Sequence, residues 1–544
     1  MSTTFLPSRP IWTRRIANEL WSGPVTPLTY SLLAEPMAEH LVRRPLRVAG
    51  LDALAGLPAL RCHASHVYVN ATLIAQAIRL LPGGLLSDGL LDLLPAAAQA
   101  EIGTGSSWLT GGTRAIAIAL RAWQNEPRWA PWQRAAAFDQ ECARVRREFE
   151  KGGTFDVKPP VPELHAELMR VQERLGRYLD VVSWGVVFAY VFYHLLHELC
   201  RHWAPGLDDE RAALTVGLPG TASLEAHREL RALGPSLLAA DSDQTSTAVG
   251  LFLARHGHRL TGRDLSCPTW RESPEMVIEL AGSGGGVPGG TAFDPVASAR
   301  RRSEATTAIE LACGGGPAGL ARRAVFRLLL ANAQRYYALR ENMRYHADFF
   351  LARMRELALA LGADLTAGGR LAKAGDVFWL EADELGQAGE NQALSERADE
   401  RRRASAHDER QPPPETLDDT GATPVTPSAV PSFLPGSVGA PGRRQGRARL
   451  VRNPADFPRV AVGDILVAVY TDPGWTPVLE RAAGLVLEAG GLLSHGAIVA
   501  RELGIPALVD VADATRFLHD GDTIEIDTGA GVVTVLARAA SISA

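Results

Sequence analysis

The stretch GLVLEAGGLLSHGAIVARELGIPALVDV, residues 484–511, sets apolar runs on either side of a single histidine, His495. GLVLEA reads as a strand, Gly490–Gly491 turn the chain, and Ser494 has the side chain of a helix N-cap. HGAIVAREL then reads as a short helix. Gly504 suits the left-handed residue that ends it, Pro506 forbids its continuation, and IPALVDV is the next strand. The spacing predicts a strand–turn–helix–strand unit with His495 in the first helical turn. Free backbone N–H groups and the positive end of the helix dipole gather at such a place. A phosphorylated histidine is at home there. An imidazole titrates at about 6.5 and is mostly an unprotonated nucleophile at neutral pH; the N–H groups can bind phosphoryl oxygens once they are attached. A histidine that merely closes a loop fits the position as well.

Beyond this unit, residues 433–540 continue short apolar runs, such as ILVAVY (465–470), with helix-like segments between them, and close on a hairpin across Thr528–Gly531. This is an α/β pattern. Residues 386–432 are charged, then rich in Pro, Thr and Ser, and are expected to form a flexible linker. In residues 1–385 apolar residues recur at three and four, as in AVFRLLLANAQRYYALRENMRYHADFFLARMRELALAL (324–361), which predicts a mainly helical domain. The fold class is therefore α+β and multidomain: a large, mainly α-helical domain followed by a smaller α/β domain. Glycine clusters at 282–290 and 314–319 lack the Gly-Lys-Ser/Thr ending of a phosphate loop and read as flexible loops.

Composition narrows the function. With 56 basic against 61 acidic residues and a net charge of −5, no basic field points to nucleic acid. The five cysteines are scattered without metal or disulfide spacing, which suggests a reducing cytoplasm. The N-terminus lacks a signal-peptide core, and VVSWGVVFAYVFY (181–193) is short for a membrane span. HLLHELCRH (194–202) misses the spacing of a zinc protease helix, so no metal site is expected. His194 and Glu198 share a helix face and could line a pocket. LRENMRYH (339–346) puts Arg340 and Arg344 four apart on one face, where two guanidinium groups could clamp a phosphoryl group; a solvated face with Arg344 paired to Asp348 is the alternative. His258, between Gly257 and Arg259, is a candidate general base, or else a structural histidine.

TDPGWTPVLERAAGLVLEAGGLLSHGAIVARELGIPALV (471–509) resembles the swivelling phosphohistidine domain of the phosphoenolpyruvate synthase and pyruvate phosphate dikinase family. The match runs through Glu488, Gly490–Gly491, Ser494–His495, Ala497–Glu502 and Gly504–Pro506. Residues 17–33, 255–259, 264–275 and 375–385 are similar, in order, to the helical domain of the rifampicin phosphotransferase branch. One departure is LTGRD (260–264), where an acidic residue of the family pattern gives way to Arg263. The resemblance implies that His495 carries a phosphoryl group between two sites on a domain that swings on the linker. Ser494, Gly491 and Arg501 are then expected beside the phosphate, although Arg501 lies six residues from His495 and off its helical face. It further implies a phosphotransferase, or kinase, whose ATP and Mg²⁺ are expected on a separate ATP-grasp subunit. The acceptor would be a small, apolar, hydroxylated molecule, with no nucleic acid and no membrane as partner. A stand-alone enzyme such as a dehydratase, or a non-catalytic phosphocarrier, are the other readings.

Overall fold

A computed structural model describes residues 10–539 except 19, 22, 80–93, 103–116, 119, 127–129, 151–162, 239–241, 284–294, 387–392, 409–412, 419–420, 423–432, 453, 472–474 and 492–493. Most of the glycine cluster expected at 282–290 lies outside the described residues, as does most of the Pro/Thr/Ser-rich part of the expected linker.

Two long helices organise the first part: α1 (Leu164–Trp203) and α3 (Gly316–Ala367), the second spanning about 78 Å at 1.5 Å per residue. They bury a common aromatic seam. Phe349 stacks on Phe149 with ring centres 5.0 Å apart, Phe350 meets Tyr178, and the Tyr178 hydroxyl donates to the Met343 carbonyl at 2.8 Å. Val181–Tyr193 lies inside α1. This helix is long and apolar enough to cross a bilayer, yet Leu175, Tyr178, Val182 and Phe188 are buried against protein. The shorter helix α2 (Ala222–Leu238) sits beside them; Asn342 of α3 accepts from the Ala222 N–H at its start.

This part is not purely helical. Strands β1 (Trp12–Thr13), β2 (Leu60–His63), β3 (His66–Asn70), β4 (Thr416–Asp418) and β5 (Gly421–Ala422) form a sheet in the order β2-β3-β1-β4-β5. It binds the start of the chain to residues beyond 415, through Trp12 opposite Leu417.

The span expected to be a linker contains a docked helix, α4 (Leu394–Asp408). Three of its arginines are paired: Arg402 bonds Asp376 at 2.6 Å, and Arg397 and Arg401 each reach Glu384 at 2.6 Å. Leu394 and Ala398 are buried in the main core. The segment's high charge hid a short apolar stripe whose arginines find carboxylates on residues 376–384.

The last part is an eight-stranded mixed sheet made of β6 (Phe433–Pro435), β7 (Ser437–Ala440), β8 (Arg443–Leu450), β9 (Ile465–Ala468), β10 (Gly484–Leu487), β11 (Ala507–Val509), β12 (Thr523–Asp527) and β13 (Val532–Ala537). The order is β6-β13-β12-β8-β9-β10-β11-β7. Neighbours β8, β9, β10 and β11 run parallel, while β12 and β13 form the antiparallel closing hairpin. Between β10 and β11 runs α5 (His495–Leu503), the crossover that a parallel pair requires.

Candidate functional site

The loop after β10 leaves the carboxyl end of a central parallel strand, the usual place for chemistry in such sheets. Gly490 takes φ +114° there, a conformation open to glycine. The Ser494 hydroxyl accepts from the Ala497 N–H at 3.4 Å as N-cap of α5, and Gly504 closes the helix at φ +67°. His495 is the first residue of the helix and is 2% exposed, because the sheet domain docks with this helix against α3.

The docking surface is built from both parts. Ile498 packs with Tyr193, Leu218 and Tyr337. Val478, Phe457 and Trp475 join one apolar cluster with Trp270, Leu280 and Leu230. Glu480 receives His227 at 2.8 Å and Arg231 at 3.2 Å, both from α2.

Under His495 lies the middle of α3. His495 Nδ1 is 3.4 Å from Glu341 Oε2. Arg340 Nη1 stands 3.6 Å from the other oxygen of Glu341, and Arg344 Nη1 donates to the Tyr470 hydroxyl at 2.9 Å, just beyond β9. Arg340 is 3% and Arg344 6% exposed, so the solvated-face alternative does not hold. Asp348 pairs with Arg263 at 2.8 Å. The departure at LTGRD thus has a structural place: Arg263 reaches α3, while Asp264 accepts from the Thr26 N–H at 2.7 Å. Tyr190 stands 5.6 Å from the Arg340 guanidinium, with His194 stacked on it.

Burial opposes a charge on Glu341, but the hydrogen bond and charge of His495, then Arg344 and Arg340, hold its carboxyl at about 2. Glu502, on α5, goes the other way. Burial and the nearby Glu341 push it up to about 8 against the pull of Arg501 and a backbone hydrogen bond from Gly217. The boundary thus sets its two carboxyls apart, Glu341 below and Glu502 above the ordinary carboxylate range.

The fold brings together His495, Arg340 and Arg344 from residues over 150 positions apart in sequence. It places other predicted residues differently. His258 is core: its ring lies flat on Phe349 (3.6 Å, 9°) and edge-on to Tyr345, and burial drives its pKa well below the ordinary value. A general base at the His495 cluster needs access to a substrate hydroxyl, whereas this ring is buried, with Phe349 over one face and Tyr345 at 88° to it. Arg501 donates to the Gly439 carbonyl at 2.9 Å and turns to Tyr337. Ser494 serves as the cap, and the Gly491 carbonyl accepts from the Ser494 N–H at 2.9 Å. Glu341, Glu502 and Tyr470 were not singled out from sequence. The one available signal was Glu341 itself, an acid set between two arginines on a helix otherwise suited to anions.

Among the described residues no group of three or more His, Cys, Asp or Glu is arranged to hold a metal ion. A cavity of about 340 Å³ lies on the domain boundary among Thr261, Pro268, Met276, Leu280, Phe457 and Val478; His495 does not line it.

Comparison with known proteins follows the same division. Residues 460–531 match the PEP-utilising enzyme, mobile domain, and residues 182–341 match the rifampicin phosphotransferase fourth domain. A chondramide synthase of Chondromyces crocatus is 31% identical over 315 residues, covering 52% of this chain and 8% of that protein. A rifampicin phosphotransferase of a Streptomyces species is 31% identical over 303 residues (52% of this chain, 34% of that protein). That of Bacillus cereus is 29% identical over 308 residues (54% and 35%). The chain spans about a third or less of the length of these relatives.

Proposed function

We propose, for a chain that carries the mobile domain of PEP-utilising enzymes beside a segment similar to the rifampicin phosphotransferase fourth domain, that it is a dikinase-like phosphotransferase component. His495 carries the phosphoryl group, and the docked posture described above is the delivery posture. The observation that carries this reading is the seating of His495, at the start of α5, over Arg340, Glu341 and Arg344.

The chemistry follows from that seating. A phosphoryl group on His495 would enter a water-poor boundary between two buried guanidinium groups, where charge on its oxygens is stabilised far more than in water. Arg340 and Arg344 bind those oxygens. The aromatic wall of Tyr190 and His194 beside Arg340 supports an apolar molecule bearing a hydroxyl as acceptor. The near-complete cover of His495 in this posture supports one order of events. The acceptor binds first, the charged domain docks, transfer occurs, and the domain leaves to be recharged.

The residues described here offer neither a phosphate loop nor a clustered set of carboxylates for Mg²⁺–ATP. In this reading Mg²⁺–ATP is bound by an ATP-grasp unit such as a separate subunit, which charges His495. The test is to incubate the purified chain with ATP and Mg²⁺, with and without lysate of its source, and to measure acid-labile phosphate on the intact protein. Label that appears with lysate and is lost in His495→Ala supports the reading. Label that persists in His495→Ala, or no label on the folded chain under either condition, overturns it.

A further inference from the structure

A histidine that carries phosphate on one ring nitrogen must have its other nitrogen managed, because the hydrogen bond made by one nitrogen sets what the other can do. In the docked posture His495 Nδ1 faces Glu341 Oε2 at 3.4 Å, with both side chains buried. Glu341 belongs to α3, not to the domain that carries the histidine. It is therefore available to His495 only while the domain is docked.

We propose that Glu341 is a positioning residue that fixes His495 as its Nδ1–H tautomer on docking, leaving Nε2 as the atom that bears and releases the phosphoryl group. An ionised carboxylate accepts hydrogen bonds and offers none, so Nδ1 must donate. Burial sharpens this choice, since water cannot replace the lost partner. The hydrogen bond to His495, with the charges around it and then Arg344 and Arg340, keeps Glu341 in its accepting, ionised form.

The consequence for transfer rests on the phosphocarrier reading. As the acceptor oxygen forms its bond to phosphorus, the bond from phosphorus to Nε2 breaks and its electron pair returns to Nε2. With the Nδ1 proton held by Glu341, the ring departs as neutral imidazole rather than as an imidazolide anion. The proton of the acceptor hydroxyl is released to water. Away from α3 the same ring lacks this partner, so the phosphoryl group is a better-held passenger in transit than at delivery. One contact thus couples docking to release.

Two measurements test this on the full chain. In the first, histidine is labelled with ¹⁵N and the ring of His495 is read through its long-range proton–nitrogen couplings. The wild type is expected as the Nδ1–H form, and Glu341→Ala as predominantly the Nε2–H form, with Glu341→Asp restoring the first pattern. A wild-type ring already in the Nε2–H form, or a pattern unmoved by Glu341→Ala, overturns the proposal whatever the protein transfers. In the second, His495 is charged with phosphoramidate and the loss of acid-labile phosphate is followed. Glu341→Gln is expected to charge to the wild-type extent and to lose phosphate about tenfold to a hundredfold more slowly, the range for losing a charged hydrogen bond. Equal loss rates in the two proteins overturn the role in release. Failure of the wild type to charge at His495 counts against the carrier reading and not against the tautomer, and failure of Glu341→Gln alone overturns the role in release.

Discussion

Gly496 follows the histidine directly, and no side chain fits there. A Cβ would come within 2.5 Å of both the Leu487 Cδ1 and Thr471 Oγ1 atoms, so α5 is pressed against β10 at the residue after His495. Gly496→Ala is expected to force this helix off the sheet and to cost about 1–3 kcal/mol, the range for overpacking a dense core. Thermal unfolding measures it, and an unchanged midpoint would show that the helix start is looser than described. At this scale local chemistry was legible. Ser494 as cap, Gly504 in the left-handed region and His495 in the first turn all follow from a few neighbouring residues. Glu341 and Glu502 did not follow. Their states depend on each other across a boundary between segments over 150 residues apart, and no local pattern encodes that distance.

Among the elements, strands β9, β10 and β11, helix α5 and the closing hairpin were readable because each has its own period and its own stops. Helix α4 was not. Its mean character is polar, and its docking depends on carboxylates of residues 376–384 that its own sequence cannot reveal. Leu394 gives a direct check. It is fully buried in the main core, so Leu394→Ala is expected to destabilise the protein by about 2–5 kcal/mol in denaturant unfolding. A free linker at this position would tolerate the change within about 0.5 kcal/mol. The small sheet β1–β5 escaped for a related reason. Its central strand β1 is two residues long and exists only through pairing with β3 and β4.

The whole molecule is held in one posture by a boundary that is partly apolar and partly titratable. Glu502 gives that posture a pH dependence of definite sign. Its pKa rises from the ordinary 4.5 to about 8, so the folded, docked form retains a proton that the unfolded chain gives up. Stability is therefore lost as pH rises from about 4.5 towards 8. Glu341 works in the opposite sense and in another window: held at about 2, it contributes stability above 4.5 that is lost as the pH falls through 2. Glu502→Gln is expected to flatten the fall in melting temperature between about pH 5 and pH 8. Equal falls in variant and wild type would mean that Glu502 is not held protonated. Glu480 ties the boundary from the other end through His227 and Arg231. Glu480→Ala is expected to speed amide exchange in α5, and unchanged exchange would show that these ion pairs do not hold the posture.

The central claim is that His495 is a phosphocarrier, covered on delivery and uncovered for charging. The most direct measurement treats the full chain with phosphoramidate and maps acid-labile phosphate by residue, in the wild type, Glu480→Ala and His495→Ala. The account predicts label on His495 alone, gained faster in Glu480→Ala and absent from His495→Ala. Label of equal extent in His495→Ala, or on other residues with His495 bare in a folded protein, would contradict it.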